Sequence, residues 1–137
     1  MDKNQILEFI KQSTLAVFST ADSSGKTQAG VMAVAVADDW NIYLSTENNT
    51  RKVANLQTNP QSTLVFGGLQ SPSVQADGLS VIASGEEIEK CKNCILSIHP
   101  DTKDYLTPTT VYIKFTPKWV KYSDYNQNPP LISEMSF

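Results

Sequence analysis

Thr50, Arg51 and Lys52 stand at the head of a short helical segment that ends at Asn59-Pro60. The first turn of a helix carries unpaired N–H groups and positive partial charge, so acidic side chains are favoured there. Two adjacent cations at that place make sense when an anion occupies it, and a phosphate suits the free N–H groups. Thr46 and Thr50 would add hydroxyl donors. This stretch reads as the head of a phosphate-bearing ligand site. The competing reading is a solvated helix start that is basic by chance.

Other reactive residue types are few. Cys91 and Cys94 form a C-x-x-C, which could be a redox pair or half a zinc site. A structural zinc takes four ligands, and only His99 is nearby. On a helix the two thiols lie one turn apart beside Ile88, Ile95 and Ile98, which reads as packing, so no metal is expected. His99 falls at a helix C-terminus, where a histidine serves the dipole or the cap. Trp40 sits in a turn and reads as a rim residue, so Trp119 is the better candidate to stack on a ring. No Ser–His–Asp set or carboxylate pair can be argued from spacing, so no catalytic residue is assigned.

The elements that would position these groups follow from pattern. Residues 2–12 read as a helix with Asp2 as N-cap and an apolar face of Ile6, Leu7, Phe9 and Ile10. Residues 14–20 and 27–37 are rich in strand formers and flank a Gly25 turn, a hairpin. The second of these strands is apolar on both faces: Ala29, Val31, Ala33 and Ala35 on one, Gly30, Met32, Val34 and Val36 on the other. One face can fill a barrel, and the other needs a cover such as a flat ligand, another subunit, or more of the same domain. Further strands are expected over 41–46, 61–67 and 74–84, the last bent at Gly78, with a loop over 67–73. Ser84 to Glu87 has capping-box spacing and opens a helix that runs to about Ile98. A half-buried strand covers 109–116, and residues 119–122 continue it past Pro117. The tail from Tyr125 has no clear period. Six strands with helices between only some of them predict a mainly β (α+β) fold, a mostly antiparallel barrel with flanking helices.

At 137 residues the chain is expected to be one domain, 1–137. Its net charge of −3 argues against nucleic acid as a partner. No apolar run approaches the ~20 residues of a membrane span. Glu8 interrupts any signal-peptide core, which gives a cytoplasmic expectation.

The run 44–60, LSTENNTRKVANLQTNP, has a strand ending in Thr, a short turn, Thr-Arg-Lys, a helix with Leu, and Asn-Pro. Before it comes a hairpin with a long small-residue strand. After it come the bent strand with Gln75 and Gly78 and a helix ending at His99-Pro100. In this order the pieces resemble the pyridoxamine 5′-phosphate oxidase-like family of FMN-binding split barrels, over roughly residues 6–124. The resemblance implies a six-stranded split β-barrel and FMN as cofactor. Thr46, Thr50, Arg51 and Lys52 would hold its phosphate and ribityl chain. Gly30, Val31, Met32 and Ala33 would lie against the flavin ring, with Gln75 and Trp119 as further contacts. It also implies a homodimer with FMN at the interface, and a flavin-dependent oxidoreductase acting on a small molecule. The alternative is a flavin- or haem-binding module without turnover, acting as a sensor or stress-related carrier; under a haem reading His99 becomes a ligand candidate. Two departures stand out. No Lys or Arg occurs between Lys26 and Arg51, and no Arg or His follows His99. True pyridoxamine phosphate oxidase activity is therefore not expected.

Overall fold

The computed structural model describes residues 1–68 and 70–137; Leu69, inside the loop expected over 67–73, lies outside them. The chain opens with α1 (Lys3–Lys11). Asp2 caps it as expected. Its carboxylate accepts the Gln5 N–H at 2.8 Å, and Gln5 Oε1 accepts the Asp2 N–H at 2.9 Å, which closes a capping box. Strands β1 (Leu15–Ala21) and β2 (Thr27–Ala33) make the expected hairpin, with Leu15 opposite Ala33 and Ala21 opposite Thr27. Then come β3 (Ala35–Val36), β4 (Ile42–Glu47), α2 (Arg51–Thr58), β5 (Gln61–Gly67), β6 (Ser73–Ile82), α3 (Glu86–Ile98), a 3-10 turn (Pro100–Tyr105), β7 (Thr110–Asp124) and β8 (Leu131–Ser136).

All eight strands join one sheet in the order β2-β1-β5-β6-β7-β4-β3, with β8 also on β7. Every pairing is antiparallel. The sheet curls into a split barrel with helices on its flanks, the mainly β fold that the pattern predicted. β7 is its spine. One edge pairs with β6 for most of its length, while the other pairs first with β4 and then with β8. The switch comes at a bulge: Asp77 faces Trp119 and Gly78 faces Pro117, which leaves Lys118 over. Proline has no N–H to give a ladder. The Lys118 carbonyl instead accepts the Phe137 N–H at 3.0 Å, so the bulge is tied to the end of β8.

The strand count is eight where six were expected, for two local reasons. The run 27–37 breaks at Val34, whose N–H donates to the Thr14 carbonyl at 3.0 Å while its carbonyl bonds His99 Nε2 at 2.8 Å. Val34, Ala35 and Val36 are all buried, so alternation stops there and Ala35 leaves the face of Ala29, Val31 and Ala33. The tail supplies the other strand. Leu131, Ser133 and Met135 turn partly inward while Ile132, Glu134 and Ser136 are exposed, a period of two that the inward serine concealed.

Two further expectations are corrected. Ser84 does not cap α3. Gly85 takes the N-cap position at φ 58°, and Ser84 offers its carbonyl to the Glu87 N–H at 3.2 Å. The left-handed glycine puts Ser84 one position too early for a capping box. Trp40 is a core residue, not a rim residue: at φ 74° its ring turns inward, is 8% exposed, and meets Phe137 edge-on at 4.9 Å. The main core sets Ile6 and Ile10 of α1 against Phe18, Leu64, Phe66 and Phe115, all fully buried. A smaller core lies under α3, where Cys91 and Ile95 cover Ala35, Tyr43 and Tyr112.

A Cβ at position 78 would lie 2.3 Å from the Thr116 carbonyl oxygen and 2.8 Å from Phe115 Cζ. The first neighbour is backbone and cannot swing aside. Gly78→Ala is expected to lower stability by about 3 kcal/mol or more, the upper range of overpacking costs. Urea unfolding of the variant tests this, and a midpoint close to the wild type would refute it.

Candidate functional site

Arg51 opens α2 and is exposed. Its N-cap, Thr50, is extended, but the Thr50 hydroxyl donates to the Glu47 carbonyl at 3.0 Å rather than capping the helix. The first-turn N–H groups therefore lack a side-chain partner. Arg51 lines a cavity of about 210 Å³ between the β1–β2 turn and α2, together with Asp22, Lys26, Thr27, Gln28 and Asn55. Gln28 Oε1 is buried and has no hydrogen-bond partner. Lys52 is half-buried and does not line this cavity. Thr46, at the end of β4, lines a different cavity of about 230 Å³ with Glu47, Tyr105 and Leu106. The four residues predicted to act together are thus divided. Arg51 is joined instead by Lys26 and Gln28, which sequence reasoning missed. Lys26 reads only as a turn lysine, and nothing in the sequence ties it to Arg51 until the hairpin folds against α2.

Glu47 is the carboxylate next to this head. Its oxygens accept the hydroxyls of Thr109 at 2.7 Å and of Thr107 and Thr110 at 3.2 Å. These bonds, Thr109 foremost, hold its carboxyl below the ordinary value of 4.5. The negative charge is tied to threonines at and just before the start of β7. Among the described residues, no ion pair involves Lys26, Arg51 or Lys52. Two uncommitted cations and an orphaned polar oxygen fit a phosphate-bearing group.

The faces of β2 differ. Met32 packs against the core, whereas Ala29, Val31 and Ala33 point outward, with Val31 67% exposed. Leu15 and Val17 of β1 extend this apolar face at 57% and 39% exposure. Gly30 pairs with Phe18, and a Cβ there would meet only Gln28 Nε2, at 4.0 Å, so no neighbour within the chain requires a glycine. Gln75 is exposed in the same row as Val31, in the order Val31, Val17, Val65, Gln75. Three strand spacings separate the two, roughly 14 Å. Trp119 lies two strands from β5, and its Nε1–H donates to Glu134 Oε1 at 2.9 Å. One copy of the chain therefore does not bring Gln75 or Trp119 to β2.

The remaining reactive groups have structural places. His99 Nε2 is engaged by the Val34 carbonyl at the break in the long strand, so its ring serves a strand and not the helix end expected; it closes α3 only through its main-chain N–H, which donates to the Ile95 carbonyl at 2.7 Å. Cys91 is buried, and burial pushes its thiol up to about 11, so it is no thiolate at neutral pH. Burial likewise pushes Tyr43 up to about 12, and its hydroxyl has no partner.

A family model for pyridoxamine 5′-phosphate oxidase matches residues 3–124. The chain belongs to that family, whose split barrel it shares. No curated protein matches it closely enough to count as a relative. Among solved structures, it is similar to a heme binding protein from Mycobacterium smegmatis (TM-score 0.81, 13% identity, 95% of this chain and 55% of that one). It is also similar to General Stress Protein 26 from Bacillus anthracis str. Sterne (TM-score 0.73, 21% identity, 98% and 100%). A third is a pyridoxamine 5′-phosphate oxidase-related, FMN binding protein from Nostoc punctiforme PCC 73102 (TM-score 0.71, 8% identity, 98% and 96%). At these identities the likeness is one of fold. The chain spans a little over half the length of two of the matched proteins, 56% and 55%. Among the described residues, no helix is long and apolar enough to cross a membrane.

The threonine bonds to Glu47 make a pH prediction. A carboxyl whose folded pKa lies below its unfolded value adds stability above the unfolded pKa, and loses it as pH falls through the folded one. Thr109→Val should therefore be less stable than wild type at pH 7, with a gap that closes progressively below about pH 4.5, the ordinary value. Thermal unfolding of both proteins across that range is the check. A gap independent of pH would mean that Thr109 acts through packing alone.

Proposed function

We propose that this chain is an FMN-binding split-barrel protein. It works in the cytoplasm as one domain and as a homodimer, and acts as a flavin-dependent oxidoreductase on a small molecule. The carrying observation is the cavity at the head of α2. It presents Arg51 with no ion-pair partner among the described residues, at the end of a hairpin with an exposed apolar face, in a chain of the pyridoxamine 5′-phosphate oxidase family. Arg51, with Lys52 and Thr50 at the same helix end, holds the phosphate. Residues 30–33 border the ribityl chain and ring, whereas Thr46 opens onto the other cavity and takes no part. Bound flavin supplies a ring that takes up and releases electron pairs, while the protein binds, orients and shields it. The FMN binding named for the Nostoc protein supports this reading.

The dimer answers two needs at once. It covers Leu15, Val17 and Val31, and it brings Gln75 and Trp119 of one copy towards β2 of the other. Finishing the burial of those three side chains gains about 2–4 kcal/mol per copy. Association costs about 4–15 kcal/mol, so apolar cover alone gives a weak dimer, and contacts through a ligand at the interface would strengthen it.

The second reading is a module that carries flavin or haem without turnover, as the name of the Mycobacterium smegmatis protein and the lack of an assignable acid or base would allow. The bond from His99 to Val34 counts against His99 as an iron ligand.

Arg51→Ala/Lys52→Ala should weaken FMN binding at least tenfold, since charge-assisted bonds contribute about 1.5–3 kcal/mol each. Flavin fluorescence titration measures it, and unchanged affinity would sink the phosphate assignment. Val31→Glu should shift the protein to monomer in sedimentation velocity and lower its retention of FMN after desalting. A variant that stays dimeric places the interface elsewhere.

A further inference from the structure

No Lys or Arg occurs between Lys26 and Arg51, so β2 itself brings no counter-charge to a phosphate. The cavity at the head of α2 nevertheless has a second cation. Lys26 lines it from the β1–β2 turn, as Arg51 does from α2. We infer that Lys26 is a phosphate-binding residue of this protein, closing with Arg51 on the phosphomonoester end of the ligand. This rests on the FMN reading above.

Three observations carry it. First, the ammonium of Lys26 makes no hydrogen bond or ion pair among the described residues, and its only influence there is a weak pull on the Asp22 carboxyl. The turn uses only its main chain: its N–H donates to Asp22 Oδ1 at 2.9 Å, and its carbonyl accepts the Asp22 N–H at 2.9 Å. Second, the turn is rigid where Lys26 leaves it. Asp22 Oδ1 also accepts the N–H of Ser24 at 2.9 Å and its hydroxyl at 2.7 Å. Those bonds, the Ser24 hydroxyl first, hold the Asp22 carboxyl below its ordinary value. They use one oxygen of Asp22, the one carboxylate among the described residues that line the cavity, which leaves two cations facing one anion and a net positive site. Third, Gln28 Oε1 is buried in the same wall with nothing to bond. The amide nitrogen donates to the Ala29 carbonyl at 3.5 Å, but a buried oxygen left without a partner is costly, and a hydroxyl-bearing chain attached to the phosphate would satisfy it. Gly30 leaves the side next to Gln28 open, with nothing nearer to its missing Cβ than 4.0 Å. A phosphate ester that continues into a polyol matches this order of groups: two cations, then an amide, then open space along β2.

The test compares FMN with riboflavin, which has the polyol and ring but no phosphate. Binding of each is titrated by fluorescence to wild type, Lys26→Met and Lys26→Arg. Lys26→Met should weaken FMN about tenfold, within the range of one charge-assisted bond, and leave riboflavin unchanged. Lys26→Arg should restore FMN binding. If Lys26→Met binds FMN as wild type does, the assignment of Lys26 is wrong while the FMN reading stands. Equal loss of both ligands would show that Lys26 acts through the fold, and also overturns it. A wild type that binds neither FMN nor riboflavin overturns the assignment and the FMN reading together.

Discussion

Two backbones touch at Gly78, and the barrel depends on that contact. The Thr116 carbonyl comes so near the α-carbon of residue 78 that no side chain fits between them. The approach lets β6 slip by one residue against β7, so Lys118 drops out of the ladder and Pro117 needs no hydrogen bond. It is also where β7 exchanges β4 for β8 along its other edge. Without the slip, β7 would be a straight strand with a proline fault in the middle. With it, the sheet curls, α1 can close over the core with Ile6 and Ile10, and Phe137 can reach back to Trp40.

The candidate site is a by-product of the same curl. Coiling the sheet brings the β1–β2 hairpin against α2, where Asn55 Nδ2 donates to Thr20 Oγ1 at 3.0 Å. That contact sets the turn carrying Lys26 beside the helix start carrying Arg51. On the far side of the helix head, the threonines before β7 occupy Glu47. Charge is thereby sorted: the carboxylate is satisfied by hydroxyls, and the cations are left with no internal partner. The cavity stays positive because Glu47 is engaged elsewhere and Asp22, the anion that does line it, is engaged by its own turn.

Much of the frame was legible in the sequence. Apolar periods placed the three helices and the central strands, and Asn59-Pro60 marked the stop of α2. The order of strand, Thr-Arg-Lys and helix pointed to the family that the match over residues 3–124 establishes. Illegible features were those where one residue's conformation overrode the pattern. Trp40 enters the core through a left-handed backbone that turn composition does not announce. Val34 ends a run of strand formers because Thr14 and His99 take its two backbone groups. β8 hides because its inward face holds a serine between Leu131 and Met135.

The helix head shows the same division. Its chemistry was set by adjacent residues: Arg51 and Lys52 at the start of α2 are a local fact, readable from spacing and helix electrostatics. Which groups share a cavity with Arg51 is a non-local fact. Thr46, close in sequence, is turned to another cavity, whereas Lys26 and Gln28, far back in the chain, are brought in. Sequence determines what each segment can donate or accept, because propensity and charge act within a few residues. Only the tertiary structure decides which donors meet, because that is settled by the pairing of strands and the direction in which the sheet coils.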